Sequence, residues 1–217
     1  MTKYKSGPRP KTHAEINVYR RQALIEATVR SIHDLGYRDT TVGSICRAAG
    51  VSRGLIRHYF SSKDDLMLDT YRHLRNELHA EIQVEMSRVS TSLQKLHAMI
   101  RAMFLSSVFE EHRIAAWLAL SVEAQTNARL RDVNREIYES YRQDATQLFE
   151  GAMSSQGRVQ WARRAANTLI ALTDGLWLEY RLDSSAFSRE EAAEICIEYV
   201  EMAVSRNQNT DSDDREN

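Results

Sequence analysis

The chain carries two prolines, Pro8 and Pro10, so nothing beyond position 10 contains the strongest helix breaker. Glycine is sparse as well, with eight in 217 residues, and apolar residues recur at intervals of three and four through most of the chain. These features together predict an all-α protein. The length suits one large or two modest domains. No apolar run reaches the 18 residues of a membrane span, and the N-terminus lacks the hydrophobic stretch of a signal peptide. Cys46 and Cys196 each sit inside a helical apolar pattern, far apart, which indicates neither a disulfide framework nor a zinc site. The expectation is a cytoplasmic protein with reduced thiols, no membrane association, no cofactor and no metal.

Within this helical frame the stretch TTVGSICRAAGVSRGLIRHYFSSKDDL, Thr40 to Leu66, has an order of its own. Thr41 is placed to cap a short helix whose Val42, Ile45, Cys46 and Ala49 share an apolar side. Gly50 falls where the chain needs positive φ to turn a corner. Ser52 is the next cap, and Val51 lies five residues from Ile56, the spacing of a hydrophobic staple. Ile56 and Phe60 then face inward, while Arg53 and Arg57 share another stripe beside Gly54. Ser62 and Asp65 have capping-box spacing and open a longer helix, with Lys63 beside its start. The pattern is a helix-turn-helix handing over to a third helix.

Two arginines at i and i+4 are often just a solvated helix face. Here they follow a cap, a staple and a glycine corner, which favours a face that meets DNA. Arginine can pair with guanine O6 and N7 in the major groove, and Gly54 lets the backbone come close. His58 and Tyr59 can donate to phosphates, as can Lys63 at the helix start. Charge distribution agrees. Residues 1–60 hold eleven Lys and Arg against four acids, a net +7, and the remainder has 18 against 26, a net −8. A basic head on an acidic body suits a protein that puts one end on DNA, although charge asymmetry alone does not separate DNA from an anionic membrane.

At these residues the chain resembles the tetracycline-repressor (TetR) family of bacterial regulators. The resemblance runs from LIEATVRSI through GYRDTTVGSICRAAGVSRGLIRHYF to SSKDDL. It implies a homodimer with an N-terminal three-helix DNA-binding head and a C-terminal helical bundle that binds a small molecule and dimerises. By position it casts Thr41, Arg53, Gly54, Leu55, Arg57, His58, Tyr59 and Lys63 as DNA-contacting. Arg57 stands where the family often carries tyrosine, a departure that bears on base preference.

The expected boundaries are a basic arm at 1–13, the head at 14–61, the regulatory and dimerisation body at 62–206 and a disordered acidic tail at 207–217. The arm either follows the DNA or is a solubilising tail. The first helix is expected over Ile16–Leu35, with Leu24, Ala27, Thr28, Ile32 and Leu35 inward and Gly36 as its stop. Arg20 and Arg21 near its start either touch phosphate or are solvated. A long helix from Ser62 to about Ser87 links head to body, and VSTS near Val89 breaks it. Leu93, Leu96, Ile100, Met103, Phe104 and Val108 form the next apolar stripe, interrupted by His97 and Ser107. Further helices follow: one with Ile114, Trp117, Leu118 and Val122 inward, one capped by Asn127, a very apolar one over about Val159–Leu182, and a last one opened by Ser188 and Glu191. The family pairs its last two helices with their copies.

All three tryptophans lie in the body. Asp174, Trp177 and Tyr180 fall at successive i+3 steps on one helix, and Phe104, Trp117 and Tyr141 lie on inward stripes of others. Aromatic rings with a nearby carboxylate are how a quaternary ammonium ion is held, and the six residues are candidates for such a site. The competing reading is that the rings are core or dimer interface, with Asp174 acting across the dimer. HRIAAWLAL and ALTDGLWLEYRL resemble the corresponding stretches of the choline-responsive repressors of glycine betaine synthesis, a branch of the same family. That resemblance implies choline as effector, with release of operator DNA when it binds; a regulator of another pathway or efflux system is the alternative. An all-helical enzyme is weighed against both. The sequence has no GxSxG, P-loop, dinucleotide-binding turn or HExxH. A pure protein-interaction bundle leaves the basic head unexplained.

Overall fold

The structure is a computed structural model that describes residues 12–105, 110–153 and 158–213, with side chains described as far as Ser205 and Arg158 excepted. Among these residues the fold is all-α, with no strand: α1 His13–Asp39, α2 Val42–Ala49, α3 Arg53–Tyr59, α4 Lys63–Met86, α5 Ser92–Leu105, α6 Glu111–Glu123, α7 Ala128–Ala152, α8 Arg158–Leu182 and α9 Arg189–Asp213. Helices α1 to α3 form the head. The others form the body, in which α7 lies along α8, α5 packs on α4, α7 and α9, and α6 packs back on α1. One continuous apolar core runs from the head into the body along α4, through Leu66, Met67, Tyr71, Leu74 and Leu78.

The local signals act as capping chemistry requires. Thr41 caps α2 in a full capping box with Ser44, and Gly50 closes that helix at φ 66. Asn127 caps α7 by accepting from Arg129 and Leu130, and Ser188 and Glu191 satisfy each other's backbone N–H groups at the start of α9. At α4, Ser62 accepts from the Asp65 N–H, one half of the box. Ser52 precedes α3 in extended conformation but makes no side-chain cap bond. The corner between α2 and α3 therefore rests on Gly50 and on the apolar contact of Val51 and Ile56 with the core.

Several expectations are corrected. The first helix begins at His13 rather than near Ile16, because Thr12 and Glu15 form a capping box. Residues 1–11 of the expected arm lie outside the described residues, as do Ser107, Val108 and residues 154–157. Gly36 breaks the helix at φ 78 as expected, but one further turn follows it to Asp39. Leu35, on the buried line by periodicity, is exposed: the buried line of α1 ends at Ile32, one turn before the break at Gly36. Val122 is 63% exposed: the buried line of α6 runs Ile114, Trp117, Leu120, Ala124, and steps of four from Ile114 drift off it. Ile195, which helical spacing places with Ala192, Cys196, Tyr199 and Ala203 on the apolar side of the last helix, is exposed. The α9 backbone continues as helix to Asp213, so residues 207–213 of the expected disordered tail are helical, while 214–217 lie outside the described residues. No helix among the described residues is long and apolar enough to cross a membrane.

Candidate functional site

The first candidate face lies on the head. Helix α3 buries Ile56 and Phe60 and leaves Arg53, Gly54, Arg57 and His58 exposed, with Leu55 half-buried. Thr41, Arg53, Arg57 and Lys63 come together around one concavity of ≈ 450 Å³, lined also by Val42 and Gly43. Gly54 faces open space, since an added Cβ would meet only Ser52 Oγ at 3.7 Å. Gly43 is a residue that sequence reasoning missed. A Cβ there would stand 3.3 Å from the Arg53 guanidinium, so its bareness lets Arg53 lie across the first turn of α2.

Two predicted contacts are engaged within the protein. Tyr59 donates its hydroxyl to Asn17 Oδ1 at 2.9 Å and meets His58 edge-on. Its proton is therefore committed to α1, and Tyr59 ties α3 to that helix. Lys63 Nζ stands 5.3 Å from the centre of the Tyr37 ring, at the N-terminus of α4. Arg21 pairs with Asp69 and lies over the Phe60 ring, which makes it a bridge between α1 and α4.

The second candidate site is in the body. Trp117 of α6 stands at the centre of an aromatic cluster: Tyr71 at 5.3 Å, Trp177 at 5.9 Å and Tyr141 at 6.3 Å between ring centres, with Phe104 6.4 Å from Trp177. Asp174 lines a cavity with Trp117, Trp177, Tyr138, Tyr141, Met103, Ile170 and Thr173. A second cavity shares Met103, Trp117 and Trp177 and adds Leu74, Leu78, Arg113 and Ile114. Five of the six sequence candidates are thus brought together. Tyr180 is not among them: it sits three residues past Trp177, rotated away, and packs on Phe187 at 6.2 Å.

The surroundings give Asp174 unusual chemistry. Burial raises its pKa from 3.8 to about 6, against a smaller opposing effect from the hydrogen bond that Tyr138 makes to it. Tyr138 is itself held far above its ordinary range, first by burial and then by the nearby Asp174 charge. The Tyr141 hydroxyl is buried and makes no hydrogen bond. A carboxylate at this depth, ringed by aromatic faces and lacking a cationic partner in its own cavity wall, is suited to a positive charge. The two cavities measure ≈ 20 and ≈ 10 Å³, each about enough for one water, so a larger ligand has to part their walls. Met103 stands in both walls and is the most deformable side chain there.

Sequence reasoning missed Tyr71, Met103, Tyr138 and Thr173. Tyr138 had a signal, since it lies three residues before Tyr141 on the same helix. Tyr71 had less: its fully buried ring lies on the linking helix, and its hydroxyl meets Ser121 and Asn134 at 2.7 Å each, a three-helix junction that no local pattern reveals.

Residues 24–70 match the family described as bacterial regulatory proteins, tetR family, and residues 92–205 match the BetI-type transcriptional repressor C-terminal domain. The HTH-type transcriptional regulator BetI of Pectobacterium carotovorum subsp. carotovorum (strain PC1) is 35% identical over 193 residues, covering 86% of this chain and 95% of that protein. In three dimensions the chain is similar to a protein from Pseudomonas aeruginosa PAO1, with TM-score 0.76, 26% identity and coverage of 87% and 91%. It also shares its fold with a Saccharomonospora viridis protein solved in complex with choline, with TM-score 0.72, 20% identity and coverage of 85% and 96%.

Proposed function

The chain belongs to the TetR family of transcriptional repressors, in its BetI-type branch, and from that premise we propose that its body senses a small quaternary ammonium compound, choline first among them. One observation carries this reading: the Asp174 carboxylate opens into a cavity walled by Trp117, Trp177, Tyr138 and Tyr141. A trimethylammonium group cannot be held by hydrogen bonds. It is held by ring faces, worth about 2 kcal/mol or more when desolvated, and by a countercharge. Choline bound to a protein of the same fold adds support. So does the size of the cavities, which favours a small ligand admitted by displacement of Met103 over a long-chain one.

The working unit in this reading is a homodimer. On α8, Ala171, Gly175, Leu178 and Leu182 form an exposed line at helical spacing, and on α9 Ile195 and Met202 are exposed as well. An apolar face of this kind is covered by a second copy in a two-fold arrangement. The dimer then sets two α3 helices roughly 34 Å apart on a near-palindromic operator. Arg53 and Arg57 read bases there, Thr41, His58 and Lys63 hold phosphates, and effector in the body favours a head spacing that no longer fits. The protein works in the cytoplasm, on DNA, without catalysis.

The direct test is a choline titration followed by tryptophan fluorescence, since Trp117 and Trp177 border the cavity. Saturable quenching or enhancement in the native chain, lost in Asp174→Asn, is the expected result. A signal unaffected by Asp174→Asn, or no signal at all, would remove choline as the ligand of this cavity.

A further inference from the structure

Arg113 stands in the first turn of α6 and belongs to two places at once. Its side chain lines the larger aromatic cavity, supplying the charge in a wall otherwise made of Leu74, Leu78, Met103, Ile114, Trp117 and Trp177. Nη2 donates to both carboxylate oxygens of Glu26, at 3.0 and 3.2 Å, and Nη1 donates to Glu77. Glu26 is on α1 in the DNA-binding head and Glu77 is on α4, the helix that links head to body. His73, also on α4, completes the cluster at 2.9 Å from Glu26 and 3.3 Å from Glu77.

Glu26 is 4% exposed, between Ile25 and Ala27 of the head core. Burial alone would push its pKa up, but the bonds and charges of His73 and Arg113 outweigh that and hold it below the ordinary value. On Glu77 burial prevails and its pKa is raised. A buried carboxylate that loses its cation is strongly destabilised, so the Glu26 to Arg113 pair has two states, made or broken, with little between. Glu26, His73 and Glu77 have the composition of metal ligands within 4.8 Å of one another, but the guanidinium already takes the carboxylates that an ion would use.

We propose that Arg113 is the positioning residue that reports occupancy of the aromatic cavity to the DNA-binding head. This inference rests on the reading of the adjoining Asp174 cavity as a cation site, whose walls of Met103, Trp117 and Trp177 are shared with the cavity that Arg113 lines. With the cavity empty, the guanidinium clamps α1 to α4 and holds the head in its DNA-binding pose. A cation that parts the cavity walls meets Arg113 as a like charge along the same surface and drives the guanidinium from its place. Glu26 then keeps only His73 as partner, and the head settles in a pose set by that and its remaining contacts to α4. Ligand and clamp thus compete for one side chain, which is the differential interaction that a population shift requires.

The test uses Glu26→Gln, which keeps the shape of the side chain, removes its charge and does not touch the cavity. Operator affinity is measured by fluorescence anisotropy, with and without choline, on a duplex selected from a random pool by the native protein. Choline affinity is measured in parallel by tryptophan fluorescence, and thermal melting confirms folding. In the native chain choline should weaken operator binding by about 5- to 150-fold. In Glu26→Gln that ratio should fall to about one while choline binds no more weakly than before, because the ligand no longer has to break the clamp. A variant that keeps the native ratio overturns the proposal, and Glu77→Gln serves as the second variant if Glu26→Gln does not fold.

Should choline leave native operator binding unchanged, the effector reading fails and the clamp is tested without ligand. Met103→Trp, or Met103→Phe if the larger ring does not fold, fills the shared cavity wall from within. Weakened operator binding that disappears in the Glu26→Gln background supports the relay. Unchanged binding in the Glu26 background means that cavity occupancy is not transmitted, and overturns it.

Discussion

Asp174 is the residue whose chemistry the account leans on most, and its raised pKa has consequences of definite sign. Between pH about 4 and 6 the folded protein holds a proton at Asp174 that the unfolded chain has released, so this group makes stability fall as pH rises through that window. Asp174→Asn should flatten that part of the stability profile and raise the melting temperature of the ligand-free protein at pH 7. A cation binds the ionised form, so choline affinity in the native chain should increase from pH 5 to pH 7 and become weak and flat in the variant. Losing one partner of such a charge pair should cost about 2 to 5 kcal/mol of binding, measured by titration at each pH. On the head, Arg53→Ala and Arg57→Ala should each cost about 1 to 3 kcal/mol and relax sequence preference if the arginine reads a base. A uniform loss across sequences with a shallower salt dependence would instead assign that arginine to phosphate, as competition binding on mutated duplexes would reveal.

At the scale of elements, the legible features were those written within a few residues of chain. The caps at Thr41, Ser62, Asn127 and Ser188, and the positive-φ stops at Gly36 and Gly50, could be read because capping is local chemistry. The aromatic site was half legible for the same reason. Spacing on α8 offered Asp174 and Trp177, but it also offered Tyr180, and only the helix's orientation turns Tyr180 away toward Phe187. What joins α1, α4 and α6 was not legible at all, since Glu26, Glu77 and Arg113 lie far apart in sequence and each reads alone as a solvated charge. Helix approach is equally silent. At Gly151 of α7 an added Cβ would run into the side chain of Ser92 at the start of α5. Gly151→Ala should therefore lower stability by about 1 to 3 kcal/mol despite its better helix propensity, and Ser92→Gly should recover part of that loss, as read from denaturant midpoints.

For the whole molecule, the proposed function requires that two heads be held by one dimer and that a body ligand change their fit to DNA. Leu178→Glu places a charge in the exposed apolar line of α8 and should shift the protein to monomer in sedimentation velocity, with loss of tight operator binding. The sorting of charge, basic over residues 1–60 and acidic beyond, should orient the molecule on DNA and make that binding strongly salt-dependent. Affinities are therefore comparable only at one salt concentration. The decisive measurement is fluorescence anisotropy of the native protein on its selected operator at fixed salt, as choline is added. Saturable loss of DNA affinity is expected over the concentration range in which choline changes the tryptophan fluorescence. Operator binding that stays tight while choline saturates the fluorescence signal would contradict it, because the cavity would then be occupied without informing the head.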